Sequence, residues 1–183
     1  MTLEDMKQKV YALIEEYDEN AEELTNDPDF SSKINSVINQ IQNELARHKK
    51  IPAKKELQVT EGQEMLLSDI DNQIYQLNNI RGVTYDTMQD TVIFNEEGTA
   101  KIYYYKYPKQ INFDTEDDFK FELDTDLLEI MPYGVAGDML KSDVSSQYGV
   151  VYSNRYRELL SELDNRRGTG VVAIEGGVEL WHK

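Results

Sequence analysis

Apolar residues recur at helical spacing at the start of the chain and again near its end, and at a spacing nearer two between them. Leu3, Met6, Val10, Leu13, Ile14 and Tyr17 share one helical face, which predicts a first helix from about 3 to 24. Thr2 stands where an N-cap belongs, and Asp5 follows three residues later, where a capping-box acid sits. "NDPDF" restarts the chain, since Asp27 can cap and Pro28 suits a first helical position. From there Phe30, Ile34, Val37, Ile38, Ile41 and Leu45 predict a second helix, followed by Lys49 and Lys50 at its negative end and by Pro52 as a stop.

From about 55 to 122 the pattern is that of strands. "ELQVT", "EMLLSDI", "QIYQLNNI", "VTYD", "TVIFN" and "AKIYYYKYP" are short, rich in β-branched and aromatic residues, and separated by Gly62, Gly82 and "NEEG". "TVIFNEEGTAKIYYYKYP" predicts a hairpin, with Ile102 and Tyr104 on one side and Tyr103, Tyr105 and Tyr107 on the other. Ordinary amphipathic strand residues are a simpler reading of these tyrosines than a binding platform.

Helical spacing returns after the acidic run "DTEDD". Leu127, Leu128, Met131, Val135 and Met139 predict an inward face, with Asp124 or Thr125 as cap and Pro132 as a kink or first-turn residue. Gly134 and Gly137 leave a small-residue face that another backbone can approach. A final helix is expected from about 144 to 165, with Tyr148, Val151, Tyr152, Arg155, Tyr156, Leu159, Leu160 and Leu163 as its stripe. The predicted fold class is α+β: mainly a helical bundle of four helices with an inserted small antiparallel β subdomain and an extended C-terminal arm. The expected divisions are N-terminal helices over 1–54, a β-rich insertion over 55–122, helices completing the bundle over 123–167, and a docking arm over 168–183.

Composition narrows the function. The chain has 183 residues, 35 acidic against 19 basic, and a formal net charge of −16, which opposes binding to phosphate backbones and anionic lipid. It has no cysteine, so thiolate catalysis and cysteine-ligated metal are excluded. The first ten residues lack a secretion-signal pattern, and no apolar run reaches the roughly 18 residues of a membrane span, so a soluble, cytosol-made protein is expected. His48 and His182 fall at a helix end and near the chain's last residue, and no zinc-protease, phosphate-loop, nucleophile-elbow or dinucleotide motif is present. Asp114, Glu116, Asp117 and Asp118 read as a solvated loop, since the rest of a calcium loop is missing. No catalytic residue, cofactor or metal is assigned.

The stretch "LDTDLLEIMPYGVAGDMLKSDVSSQYGVVYSNRYRELLSELD" resembles the closing helices of head-tail connector (adaptor) proteins of tailed bacteriophages, and "SSKINSVINQIQNELARHKKIPAKKEL" is similar to their second helix. The resemblance implies a non-enzymatic virion protein, made in the host bacterial cytoplasm and placed in the neck. It also implies a homo-oligomeric ring of about twelve copies beneath the portal protein, with a further neck or tail-completion protein below. Genomic DNA would pass through the ring without specific binding, repelled by acidic groups; no membrane is involved. Arg155, Arg157, Arg166 and Arg167 are the expected inter-subunit residues.

In that family extended terminal segments reach into the portal ring. The arm "GTGVVAIEGGVELWHK" has the composition to add a strand there, through Val172, Ile174, Val178, Leu180 and Trp181, the alternative being a local hairpin on its own domain. Other readings are a different neck, tail-completion or baseplate protein, or an acidic DNA-mimic inhibitor.

Overall fold

A computed structural model describes residues 1–15, 28–141 and 148–168. The chain begins with the predicted cap: the Thr2 N–H donates to Asp5 Oδ2 at 2.9 Å and the Asp5 N–H donates to Thr2 Oγ1 at 3.2 Å. Helix α1 (Leu3–Glu15) follows and buries Leu3, Met6, Val10 and Ile14. Tyr17 and the expected continuation to 24 lie outside the described residues. Helix α2 (Pro28–His48) buries Ile34, Val37, Ile38, Ile41 and Leu45, as its spacing predicts.

The chain then enters β1 (Ile51–Val59), so Pro52 lies within an edge strand, where proline is tolerated. There follow β2 (Glu64–Leu66), a one-turn helix α3 (Leu67–Ile70), β3 (Ile74–Arg81), β4 (Tyr85–Met88), β5 (Thr91–Phe94) and β6 (Gly98–Lys106). Two antiparallel sheets form, in the orders β1-β6-β3 and β2-β5-β4. The expected hairpin of "TVIFN" with "AKIYYYKYP" is therefore not made, because β5 and β6 belong to different sheets. Gly98, at φ 154°, opens β6, and its missing Cβ leaves room for Val83, whose side chain would stand 3.1 Å from one. Between the sheets lie Val59, Ile70, Ile80, Val92, Phe94, Ala100, Ile102 and Tyr104, a core separate from that of the helices.

Helix α4 (Thr125–Leu140) is the hub of the helical part and contacts α1, α2 and α5 (Tyr148–Gly168). It buries Leu127, Leu128, Ile130, Met131, Val135, Ala136 and Met139, residues spread around its circumference rather than along one stripe. Pro132 lies mid-helix, so the first-turn alternative fails. Asp124 stands at the cap position, but its side chain makes no cap bond and pairs with Lys49 instead.

The expected four-helix bundle with an inserted β subdomain is not the architecture. The fold is mixed α+β, with five helices among the described residues and two three-stranded sheets. Three helices surround a central one, and the sheets meet the helical part through a few side-chain contacts. There the Tyr75 hydroxyl donates to the Ala46 carbonyl at 3.2 Å, Arg47 Nε donates to the Tyr107 hydroxyl at 2.8 Å, Lys50 Nζ donates to Gln76 Oε1 at 2.8 Å, and Lys106 pairs with Glu122 at 2.7 Å. Periodicity reports which face of an element is apolar; it carries no information on which element covers that face.

The segment after β6 is neither strand nor helix, yet Ile111, Phe121 and Leu123 enter the helical core. Side-chain amides of α2 take the place of a partner strand for it. Asn39 Nδ2 donates to the Ile111 carbonyl at 2.7 Å, Asn39 Oδ1 accepts from the Ile111 N–H at 2.8 Å, and the buried Gln42 donates to the Lys109 carbonyl at 3.0 Å.

Candidate interaction surfaces

Helix α5 lies on the glycine face of α4. A Cβ at Gly137 would stand 2.7 Å from Ser153 Oγ and 3.0 Å from the Ser153 backbone nitrogen, and one at Gly134 would stand 3.0 Å from the Tyr156 ring. The small-residue face is thus filled by this chain's own last helix. Tyr152 and Tyr156 are buried in that contact, the Tyr152 hydroxyl donating to the Leu13 carbonyl. Burial, with the Glu44 carboxylate adding to it, raises the Tyr156 phenol far above its ordinary range.

The stripe predicted for α5 is only partly inward. Tyr148 and Val151 are exposed, Val151 at 51%, and Val150 beside them at 63%; Leu159, Leu160 and Leu163 are half-buried. Arg155 is exposed and pairs with Glu158 at 2.6 Å, which raises its pKa, and Arg157 donates to Asn154 Oδ1 at 3.2 Å. Both expected inter-subunit arginines that the structure describes are therefore held along their own helix. The side chains of Arg166 and Arg167, and the arm residues Val172, Ile174, Val178, Leu180 and Trp181, lie outside the described residues, as does His182.

The second surface is the outward face of sheet β1-β6-β3. Strand pairing aligns Lys54 with Tyr103, Pro52 with Tyr105, and Glu56 with Lys101. Across β6, Asn79 faces Tyr103 and Arg81 faces Lys101. Cations lie over the rings: Lys50 Nζ is 4.7 Å from the Tyr105 centroid, Lys54 Nζ 5.8 Å and Arg81 Cζ 5.3 Å from that of Tyr103, and Arg47 Cζ 5.3 Å from that of Tyr107. Tyr75 and Tyr107 pack as a tilted pair with centroids 4.7 Å apart, and burial raises the Tyr75 phenol, Tyr107 and Tyr105 adding to it. Glu56 hydrogen bonds Lys54, raising the lysine and being lowered in turn. A chain of net charge −16 thus gathers Arg47, Lys50, Lys54, Arg81 and Lys101 on one tyrosine-lined face. Sequence inspection found the ring alternation but missed the cations, which come from four separate segments.

Grooves elsewhere are open and modest. One of about 280 Å³ lies between α1 and α4, beside the Lys9–Glu129 ion pair, and one of about 390 Å³ lies between the sheets, lined by Tyr75, Tyr85, Thr87 and Gln89. Among the described residues no group of three or more His, Asp or Glu is placed to hold a metal ion, and no helix is long and apolar enough to cross a membrane. Comparison of the chain with protein-family models and with curated protein sequences gives no match.

Proposed function

We propose that this chain is a structural subunit of a head-tail connector, forming a ring between the portal vertex and the tail of a bacteriophage and enclosing the channel for DNA. The observation that carries the reading is the α4–α5 pair. The residues that resemble connector helices are packed together through Gly134 and Gly137, while Val150 and Val151 near the start of α5 stay exposed. A subunit that closes into a ring needs such open surfaces on two different sides. The excess of acidic groups supports the reading further, since a channel that repels phosphate lets the genome pass.

The arm over 168–183 is the proposed portal contact, with Ile174 and Trp181 as its anchors. The test is co-sedimentation of the full chain, and of a chain lacking 169–183, with the cognate portal protein. The full chain should pellet with portal. The shortened chain should keep its circular dichroism spectrum and lose most of that binding. Undiminished binding by the shortened chain moves the portal contact elsewhere on the subunit. A full chain that ignores portal, stays monomeric and binds a nuclease instead is a DNA mimic, and the connector reading fails.

A further inference from the structure

We infer that the turn carrying Phe113 on one copy of this chain docks on the cation–tyrosine face of sheet β1-β6-β3 on the next copy. This deepens the ring reading by naming the contact between neighbours, and it rests on that reading for closure of the ring.

Phe113 is 81% exposed, the most open large apolar side chain among the described residues, and it leads directly into Asp114, Glu116, Asp117 and Asp118. The turn is rigid. Asn112 Oδ1 accepts from the Asp114 N–H at 3.0 Å and the Thr115 hydroxyl at 2.9 Å, while Thr115 Oγ1 accepts from the Asn112 N–H at 2.9 Å. Its far end is fixed to α1, where the Glu4 N–H donates to the Asp117 carbonyl at 3.0 Å and Lys7 pairs with the Asp117 carboxylate at 3.1 Å. An apolar ring so fixed, in open solvent and surrounded by carboxylates, loses little conformational entropy on docking.

Its complement lies on the same chain but out of its own reach. Asn112 is held beside Asn35 of α2 at 3.4 Å, whereas the cationic face begins at Arg47 of that helix. Twelve helical residues at 1.5 Å each separate the two by about 18 Å. The turn is too far from the face to fold back onto it, and a second copy of the chain supplies each with its complement. The chemistry matches: Asp114, Glu116 and Asp118 meet Lys50, Lys54, Arg81 and Lys101, and Phe113 meets the rings of Tyr103 and Tyr105. Two unlike patches on separate parts of one subunit make a head-to-tail contact, the kind that closes into rings. Nucleic acid is the disfavoured occupant, because the remaining surface of the chain repels phosphate.

Two full-length variants test this: Phe113→Ser with Glu116→Lys, which spoils the turn, and Lys54→Gln with Lys101→Gln, which neutralises the face without setting a new carboxylate against Glu56. All four positions are exposed, so melting should be unchanged, and assembly is read by native mass spectrometry and sedimentation, alone and on portal. Each variant alone should need at least about tenfold more protein to assemble than the wild type. Mixed together they should form a one-to-one dimer that grows no further, because the mixture holds one intact turn and one intact face per pair. Rings that form unchanged from both variants overturn this contact and leave the connector reading standing. A wild-type chain that stays monomeric with and without portal overturns both, and binding of single-stranded DNA to the face in preference to a second copy overturns the contact.

Discussion

Strand β6 places tyrosines on both sides of one sheet, and their fates differ completely. Tyr104 points inward, is buried between Leu77 and Ala53 of the flanking strands, and donates its hydroxyl to Asp71 Oδ2 at 2.7 Å. Tyr103 and Tyr105, one residue away on either side, point outward under lysine and arginine. Residue type is constant here, so the alternation of the strand alone decides which ring is buried in the core between the sheets and which is left on the outward face. The helices repeat the lesson. On α5, Tyr152 and Tyr156 close onto α4, while Val150 and Val151, hydrophobic as they are, remain outside. The molecule thus has surfaces it closes itself and surfaces it leaves open, and substitutions on the two kinds should separate cleanly.

The largest effect belongs to the closed sheet face. Ile102→Ala removes a fully buried side chain between the sheets and should destabilise the protein by about 2–5 kcal/mol, read by urea unfolding. A loss below about 1 kcal/mol would show that the two sheets do not share a tight core. Next comes the helix pair: Gly137→Ala forces a Cβ against the Ser153 backbone and should cost about 1–3 kcal/mol, lowering the melting temperature by several degrees. Ser153→Gly in the same chain should restore part of that loss only if the Ser153 side chain, and not its backbone, is the obstacle.

A smaller effect isolates the buried tyrosine. Tyr104→Phe removes a charge-assisted hydrogen bond and should cost about 1–2 kcal/mol at neutral pH. Burial, then the bond to Asp71, pushes the Tyr104 phenol up to about 12. Its contribution is complete below the ordinary tyrosine value of about 10 and is lost as pH rises through the folded value. For Asp71, burial opposes ionisation but is outweighed by the bonds from the Gln73 N–H and the Tyr104 hydroxyl, so the carboxyl lies below its ordinary value. Its contribution is complete above the ordinary aspartate value of about 3.9 and is lost as pH falls through the folded value. The stability difference between the wild type and Tyr104→Phe should therefore shrink at both extremes, and a difference constant from pH 3 to pH 12 would exclude the pair as its source.

The smallest effects are expected on the open surfaces. Val150→Ser and Val151→Ser should each change unfolding free energy by no more than about 0.5 kcal/mol. A loss comparable to that of Tyr104→Phe would mean that these side chains serve the fold, and the distinction between closed and open surfaces would collapse.

Much of this division was legible in the sequence where a single element decides it. The capping box at Thr2 and Asp5, the inward faces of α1 and α2, and the in-out order of Tyr103 and Tyr104 all follow from local spacing and hold in the structure. What escaped were features made by two distant segments. "TVIFN" and "AKIYYYKYP" are adjacent in sequence and suited to a hairpin, but each found better partners in separate sheets. The amides of Asn39 and Gln42 gave no hint that they would hold the backbone at Lys109 and Ile111, because a polar residue on a helix ordinarily faces water. The cationic face depends on β1, β3, β6 and the end of α2 coming together, and Phe113 gave no sign in its spacing that it would be left outside. Gly134 and Gly137 did announce a close approach, and the structure supplies the partner from within the chain.

The central claim is that the open surfaces exist for assembly into a connector ring. The measurement that bears on it most directly is electron microscopy of the purified full-length chain mixed with its cognate portal, with particle mass determined on the same sample. The account predicts closed rings of about twelve copies seated coaxially on the portal, with the sheets of one subunit against the acidic turn of the next. Portal particles that remain bare, beside a chain whose mass stays that of a single 21.2 kDa subunit, would contradict it.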